Sequence, residues 1–224
     1  MKKLIVLLLT IILTLSICAC SSNEDIRGEI TTNPTQPTNA TEPIDPEYSM
    51  GTAASNTYTS AFLGLSCTLP SDWRFYSDEE ILQMNNINSA YMDEAAQEVL
   101  RNATIIYDMA AINEANYSNI NINLEKLTPL QAAALNLKVA LEAQSPTIKT
   151  AFSNMGYTDT DVKYAKVTVD GKEFDALKIC AKINGVDFYE IVFSFQKGLY
   201  MVNVTVACTG TDQTAQLLDY FTVS

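Results

Sequence analysis

Apolar and polar residues alternate most clearly between residues 116 and 127. The aliphatic side of this alternation carries Ile120, Ile122 and Leu124, and the polar side carries Asn119, Asn121 and Asn123. A period of two with one polar side is typical of an antiparallel strand that buries one face. We therefore predict a strand here, another over 104–111, and two short strands over 58–68 joined near Leu63-Gly64.

Residues 161–208 predict four further strands joined by tight turns. Asp170-Gly171 and Asn184-Gly185 are strong hairpin dipeptides, and Lys197-Gly198 marks a third turn. With two-residue loops, Val202, Phe193 and Ala176 share one face of the sheet, and Met201, Ser194 and Leu177 share the other. Neither face is plainly polar, which favours a sheet covered on both sides by helices. A bulge that shifts the register is the alternative.

Helix-capping signals separate these strands. Ser77 with Glu80, and Thr128 with Gln131, each have the spacing of a capping box. One predicted helix begins at Ser77 and a second covers 90–101. A third runs from Thr128 to Ala143 with an apolar stripe of Leu130, Ala134, Leu137 and Leu141, and a shorter one restarts at Ser145-Pro146 and stops at Gly156. The last begins at Thr211 and has Leu217, Leu218 and Phe221 as its apolar residues.

This order of elements is similar to that of PsbP-like domains, and the resemblance covers about 57–224. The segment 63–73 resembles their opening hairpin strand followed by a Pro-x-x-Trp loop, here Pro70 and Trp73. The resemblance implies an α+β fold, specifically an α/β/α sandwich with a central antiparallel sheet. It also implies a role in binding or assembly, and it supplies no catalytic residues, because a fold does not by itself define a function.

The N-terminus has the pattern of a secretory signal peptide. Lys2 and Lys3 precede an apolar stretch from Leu4 to Ile17, which a short polar segment follows. The stretch is shorter than the roughly 20 residues of a membrane-spanning helix, so a retained transmembrane helix is the weaker alternative.

The end of this stretch, Ile17-Cys18-Ala19-Cys20, resembles the bacterial lipobox. The resemblance implies cleavage after Ala19 and a diacylglyceryl thioether on Cys20, so residues 1–19 would be a lipoprotein signal peptide. Two acyl chains would hold the protein at the extracytoplasmic face of the cell membrane. An ordinary signal peptide cleaved nearby is the alternative.

Residues 20–56 differ in composition from the rest of the chain. They contain four of the seven prolines, many Thr, Ser and Asn residues, and no periodic apolar positions. Such a segment buries too little apolar surface to fold. We predict that 20–56 is the lipidated cysteine with a disordered tether, and that 57–224 is one globular domain.

Composition and charge exclude several functions. The chain has 224 residues, of which 47% are hydrophobic, and it contains no histidine, which excludes Ser-His-Asp triads, Cys-His dyads and imidazole metal ligands. Its net charge is −12, and removal of 1–19 takes away two lysines and no acidic residue, giving −14. Nucleic-acid binding is not expected, because it depends on Lys and Arg neutralising phosphates.

Three cysteines remain in the predicted domain. With the simple register, Cys180 lies opposite Tyr189 and Cys208 opposite Asp187, on either side of one strand and roughly 10 Å apart. That distance is too long for a disulfide. We predict buried free thiols, with a bridge from Cys67 to one of the others as the alternative. A reactive cysteine is not expected, since no basic cluster is near to lower its pKa.

Other candidate sites have structural explanations. Asp159-Thr160-Asp161 lacks the ligand set of a calcium loop, and Asp78-Glu79-Glu80 suits the start of a helix. No phosphate-binding glycine loop occurs, so no cofactor is expected. The aromatic residues that could line a ligand cleft are Phe188, Tyr189, Phe193, Phe195 and Tyr200, and Trp73 with Phe75 and Tyr76 could form an exposed patch beside a loop. Core packing is the better explanation for both groups.

These observations favour a non-catalytic, membrane-anchored binding or envelope-assembly module over an enzyme. Its expected partners are the membrane, through Cys20, and a protein or small ligand. The alternative function is a secreted, histidine-free hydrolase, which would need two carboxylates facing one cleft.

Overall fold

Two antiparallel sheets organise the part of the chain described by the computed structural model, which covers residues 48–86, Leu100 and residues 103–224. The strands are β1 (Thr52–Ala54), β2 (Thr57–Ser60), β3 (Leu65–Thr68), β4 (Arg74–Phe75), β5 (Ile105–Asn113), β6 (Ser118–Lys126), β7 (Thr158–Val169), β8 (Lys172–Ile183), β9 (Val186–Lys197), β10 (Tyr200–Thr209) and β11 (Phe221–Val223). The helices are α1 (Asp78–Met84), α2 (Pro129–Ala134), α3 (Leu137–Asn154) and α4 (Thr214–Leu218).

The larger sheet has seven strands in the order β4-β5-β6-β10-β9-β8-β7, and the smaller has four in the order β1-β2-β3-β11. The fold is therefore α+β, as the sequence predicts. Helices were expected on both faces of the central sheet, but the smaller sheet packs on one face and α3 packs on the other. Phe221, expected in the last helix, instead lies in β11, which adds the fourth strand to the smaller sheet by pairing with β3 at Cys67.

Each face of the large sheet carries its own hydrophobic core. The first face packs against the small sheet through Val202, Val204, Phe193 and Ala176. The second face packs against α3 through Met201, Leu177, Ile179 and Phe188. The predicted division of side chains between the two faces is confirmed, and the two cores explain why β9 and β10 are buried on both sides.

One predicted register is wrong by two residues. Lys197 pairs with Tyr200, so the β9–β10 turn consists of Gly198 and Leu199 rather than Lys197 and Gly198. Gly198 has a φ of 56°, and a glycine at the first central position suits a type II′ turn. A shift of two residues leaves every side chain on its predicted face. It moves Cys208 opposite Tyr189 instead of Asp187.

The helical segment after β6 divides at a different point from the predicted one. Both capping boxes are confirmed, but α2 ends at Ala134 and α3 runs through Pro146. Asn136 causes the division, because its side chain accepts a hydrogen bond from the Val139 backbone and so starts a new helix. Leu130 consequently leaves the predicted buried stripe and is 79% exposed.

The folded domain begins earlier than residue 57. Tyr48, assigned by composition to the tether, is only 4% exposed, and its ring packs on Phe62 and Tyr200. Residues of β1, also assigned to the tether, pair with β2. Composition missed this part of the domain because only one large aromatic ring anchors it. Cys20, the rest of the tether and most of the predicted helix over 90–101 lie outside the described residues.

Candidate functional sites

A buried carboxylate, Asp108, joins the N-terminal segment to the large sheet. A register shift between Tyr107 and Met109 in β5 accommodates it. Its Oδ2 accepts a hydrogen bond from the Tyr58 hydroxyl at 2.8 Å, and its Oδ1 accepts one from the Gly51 backbone at 2.8 Å and one from the Tyr48 hydroxyl at 3.2 Å. We call these four residues the Asp108 clamp.

Burial dominates the electrostatics of the clamp. It raises the pKa of Asp108, while the three hydrogen bonds oppose that rise by stabilising the ionised form. The pKa values of both tyrosines are raised by burial and by the neighbouring carboxylate. The tyrosines therefore remain neutral donors, and the clamp holds residues 48–60 against the sheet.

A second group of buried polar residues lies on the opposite face, in the layer beneath α3. Glu190 lies two residues after Phe188 on β9 and so shares its face, and the Phe188 ring packs 5.8 Å from that of Phe152 on α3. The Glu190 side chain is 4% exposed, and burial raises its pKa to about 8. The pKa of Tyr157 is raised by burial and, to a smaller extent, by electrostatic interaction with Glu190.

Two other polar groups in this layer are unsatisfied. Neither amide atom of Gln144 has a hydrogen-bond partner, and neither does the Tyr157 hydroxyl. Gln144 lies among the buried positions of α3, between Leu141 and Ile148. Buried polar groups without partners are uncommon in proteins and destabilise the folded state.

The buried carboxylates are too far apart to act as a catalytic pair. Asp108 and Glu190 lie on opposite faces of the large sheet. Glu125 shares the face of Glu190, but it pairs with Met201 whereas Glu190 pairs with Ala207, six residues along β10. Six residues of strand span about 20 Å. Paired carboxylates of glycosidases are at most about 9.5 Å apart.

A row of polar side chains crosses three strands on this same face. The Ser194 hydroxyl donates to Asn203 Oδ1 at 2.7 Å, the Asn203 amide donates to Asn123 at 3.3 Å, and the Asn123 amide donates to Asn121 at 3.5 Å. These groups satisfy one another across β9, β10 and β6, so the row contributes to the specificity of strand pairing.

The three described cysteines are free. Cys180 and Cys208 both lie opposite Tyr189, one on each side of β9, and so remain two strands apart. Cys67 and Cys208 are buried as expected, but Cys180 is exposed, because it lies near the edge strand β7. Burial raises the pKa of Cys67 to about 12 and also raises that of Cys180, so neither is activated as a thiolate.

The acidic clusters singled out from the sequence have structural partners. Asp161 forms ion pairs with Lys163 and Lys149, which lower its pKa. Glu80 completes the capping box with Ser77 and pairs with Arg74 at 2.7 Å. No group of three or more candidate metal ligands occurs in the part of the chain that the structure describes.

The aromatic candidates belong to the two cores. Phe188, Phe193 and Tyr200 are buried, and Tyr189 and Phe195 are partly buried against the first core. Trp73 and Phe75 also pack on this core, with the Trp73 ring in edge contact with Tyr220 at 6.0 Å, and Arg74 lies over the Tyr76 ring.

Sequence reasoning missed the functional geometry of two regions. The bulge at Asp108 has no signal in the neighbouring residues, and the exposed face of α2 was masked by an apparently helical stripe. One signal was available for α2, since Asn136 is a good N-cap residue within the predicted helix. Over residues 48–86 and 103–224, no helix has the length and hydropathy that crossing a lipid bilayer requires.

Comparisons with known proteins do not assign a family. No family model and no curated protein matches the chain. A Bacteroides thetaiotaomicron structure matches 75% of this chain at 12% identity with a TM-score of 0.38, and the match spans about half (48%) of that protein. LpqN, described as involved in cell envelope biogenesis of Mycobacterium tuberculosis, matches 71% of this chain and 83% of its own at 10% identity with a TM-score of 0.39. Both TM-scores are too low to support an argument about function.

Proposed function

We propose that this protein is a lipoprotein of the bacterial cell envelope, attached through Cys20 to the extracytoplasmic face of the cell membrane. Its folded domain would be a non-catalytic module that binds a protein or small ligand or supports an envelope assembly. The lipobox-like segment Ile17-Cys18-Ala19-Cys20 supports the anchor. A PsbP-like origin of the domain belongs to the same proposal.

The separation of the buried carboxylates is the observation that carries the non-catalytic assignment. A histidine-free hydrolase would depend on two carboxylates that meet in one cleft. Asp108 is engaged by three donors on one face of the sheet, and Glu190 is enclosed beneath α3 on the other. This geometry favours binding over hydrolysis, and no observation on the described residues favours the hydrolase.

Mass spectrometry of the native N-terminus tests the anchor. The expected result is an N-terminal peptide that begins at Cys20 and carries the mass of a diacylglyceryl group. Cys20→Ala should leave the precursor uncleaved, while Cys18→Ala is the matched control and should be processed normally. An unmodified N-terminus at any residue would contradict the proposal.

A substrate panel tests the non-catalytic assignment. The purified full chain should hydrolyse none of a set of glycoside, ester and peptide substrates above the rate of a mock preparation. Turnover that is lost in Glu190→Gln or Asp108→Asn, while these variants remain folded, would favour the hydrolase instead.

A further inference from the structure

Three polar side chains are enclosed between α3 and the second face of the large sheet. Glu190 on β9, Gln144 on α3 and Tyr157, which follows α3, are all buried. Neither amide atom of Gln144 has a hydrogen-bond partner, and neither does the Tyr157 hydroxyl. No hydrogen bond stabilises the charged form of Glu190 among the described residues. We call these three residues the α3 polar site.

Two contacts fix the position of α3 along the sheet. Near the end of the helix, the Phe152 ring lies 5.8 Å from the Phe188 ring on β9. Near its start, the Lys138 Nζ atom lies 5.2 Å from the centre of the Tyr164 ring on β7. Through the register of β8, Tyr164 is level with Val192 on β9. The helix therefore crosses the sheet between the levels of Phe188 and Val192.

These contacts place Gln144 at the level of Glu190. Gln144 lies about midway between the two contact points on α3, and Glu190 lies midway between the two corresponding residues of β9. Gln144 occupies a buried position of the helix, and Glu190 is on the sheet face that the helix covers. Both polar groups therefore lie in one layer, but they do not bond to each other.

Tyr157 brings a hydroxyl and an aromatic ring to the same layer. Its ring centroid lies 4.8 Å from that of Phe152 and 5.1 Å from that of Phe188. The charge of Glu190 raises the pKa of Tyr157, so the two groups are within electrostatic range. The α3 polar site thus combines a carboxyl, an amide and a hydroxyl beside a cluster of three rings.

The sheet beneath the site is low at its centre. Glu190, Ala207 and Asn119 form one row across β9, β10 and β6, and the middle residue carries only a methyl group. Thr205 lies diagonally next to Glu190, at a spacing that long side chains can span. Asn119, at the β6 end of the row, is partly exposed. Exposure therefore increases from Glu190 toward β6, along a line of small and polar residues.

Glu190 is the charged member of the site, and its neighbours do not neutralise it. Ile179 on β8 and Ala207 on β10 pair with it, and both are apolar. Lys149 on α3 is exposed and pairs with Asp161 at 3.9 Å. A buried carboxylate is unfavourable unless a cation and hydrogen-bond donors compensate it. A ligand that supplies both would therefore be favoured over a neutral one.

We infer that the α3 polar site binds the primary ammonium group of a small ligand. This inference deepens the proposed binding function and rests on it. The three N–H groups of an ammonium would donate to the Glu190 carboxylate, Gln144 Oε1 and the Tyr157 hydroxyl oxygen. The rings of Phe152, Tyr157 and Phe188 would contact the adjoining carbon chain and the cation. A single carboxylate with neutral oxygens suits an ammonium better than a multivalent metal ion.

Isothermal titration calorimetry of the full chain in detergent tests the ligand class. The probe is n-propylammonium chloride. The neutral control is n-propanol, which has the same carbon chain, and the second control is tetramethylammonium, a cation without N–H donors. We expect the Kd of n-propylammonium to be lower than that of either control by at least about tenfold. Equal affinity for either control, or for glycerol, would overturn the ammonium assignment.

Substitutions test the residues of the site. Glu190→Gln should raise the Kd of n-propylammonium by at least about tenfold, because it removes the charge. Gln144→Met and Tyr157→Phe should each raise it by about fivefold, since each removes one acceptor. Glu79→Gln, on the exposed side of α1, is the control and should leave the Kd unchanged. Unchanged affinity in Glu190→Gln, with the chain still folded in urea titrations, would overturn the site.

Proton release supplies a readout that a structural role of Glu190 would not produce. Its pKa is about 8 without ligand, so at pH 7 the carboxyl is mostly protonated, and an ammonium ion would ionise it. Tyr157 stays neutral because burial raises its pKa. Calorimetry at pH 7 in two buffers of different ionisation enthalpy should show release of about one proton per ligand bound, and none in Glu190→Gln. Binding without proton release would contradict the contact with Glu190.

Failure of this inference is distinguishable from failure of the proposed function. If no ammonium probe binds, the α3 polar site is overturned, while the lipid on Cys20 and the absence of turnover are measured separately. If n-propylammonium binds as expected but the substrate panel shows turnover that needs Glu190, the non-catalytic assignment fails and the ammonium site remains.

Discussion

Each face of the large sheet buries a carboxylate, and the two carboxylates differ in their hydrogen-bond surroundings. Asp108 accepts three hydrogen bonds from the segment that it holds. Glu190 has burial as the sole cause of its raised pKa, and the layer beneath α3 also contains an unsatisfied Gln144 amide and an unsatisfied Tyr157 hydroxyl. A buried polar group stabilises a fold when its partners are in place and destabilises it when they are missing.

Buried polar groups therefore have two different effects in this fold. On the first face, Asp108 fixes the position at which the N-terminal segment joins the domain, because Tyr48, Gly51 and Tyr58 all donate to it. On the second face, burial of Glu190 and Gln144 reduces stability without fixing any described segment. Substitutions should therefore have opposite effects on the two faces.

Asp108→Ala should cause the largest loss of stability. It leaves two tyrosine hydroxyls and one backbone N–H without an acceptor, and each unsatisfied donor costs about 1–3 kcal/mol. We expect the free energy of unfolding in urea at pH 7 to fall by about 4 kcal/mol.

Asp108→Asn is the control for this substitution, because it keeps the shape and one acceptor oxygen and should cost about half as much. Tyr58→Phe removes one donor and should cost about 1 kcal/mol. A loss of less than about 1 kcal/mol in Asp108→Ala would show that the clamp does not hold the N-terminal segment.

Glu190→Gln should have the next largest effect, and the size of that effect depends on pH. The pKa of Glu190 is about 8 in the folded chain and near 4.5 when unfolded, so between these values only the folded state keeps the proton. Unfolding then releases a proton, and stability falls as pH rises through the window, by up to about 1.4 kcal/mol per pH unit. Glu190→Gln removes this slope.

We therefore expect Glu190→Gln to unfold like the unsubstituted chain at pH 4.5 and to be more stable by about 3 kcal/mol at pH 7. Urea unfolding at five or six pH values measures the difference. Glu79→Gln, on the exposed side of α1, is the matched control and should leave the slope unchanged. An unchanged slope in Glu190→Gln would mean that this carboxylate is hydrated rather than buried.

Local features of the fold could be predicted where the signal lies in adjacent residues. The capping boxes at Ser77 and Thr128 depend on a spacing of three, and the Asn184-Gly185 turn depends on two positive φ values that this dipeptide adopts readily. The face on which each side chain of β9 and β10 lies was also predictable, because a register shift of two residues leaves every side chain on the same face of the sheet.

Features that depend on distant residues could not be predicted. From its neighbours in sequence, Tyr48 belongs to a polar tether. Its place in the domain depends on Asp108, sixty positions later, which accepts a hydrogen bond from the Tyr48 hydroxyl. Phe221 extends an apparently helical stripe, and only its pairing with Cys67 makes it a strand residue. The exposure of Leu130 was missed for a local reason instead, because Leu130 fits the helical period of α3 but Asn136 starts that helix anew.

Gln144→Met should have the smallest of the three effects and should be stabilising. Methionine matches glutamine in length and flexibility, and it removes two buried polar atoms that have no partner. We expect an increase of about 1 kcal/mol in the free energy of unfolding at pH 7. Gln144→Ala is the control for packing, since it removes the same polar atoms but leaves a cavity and should be destabilising. If methionine also destabilises the chain, the Gln144 amide must have a binding role beneath α3, and the second face of the sheet would then resemble the first.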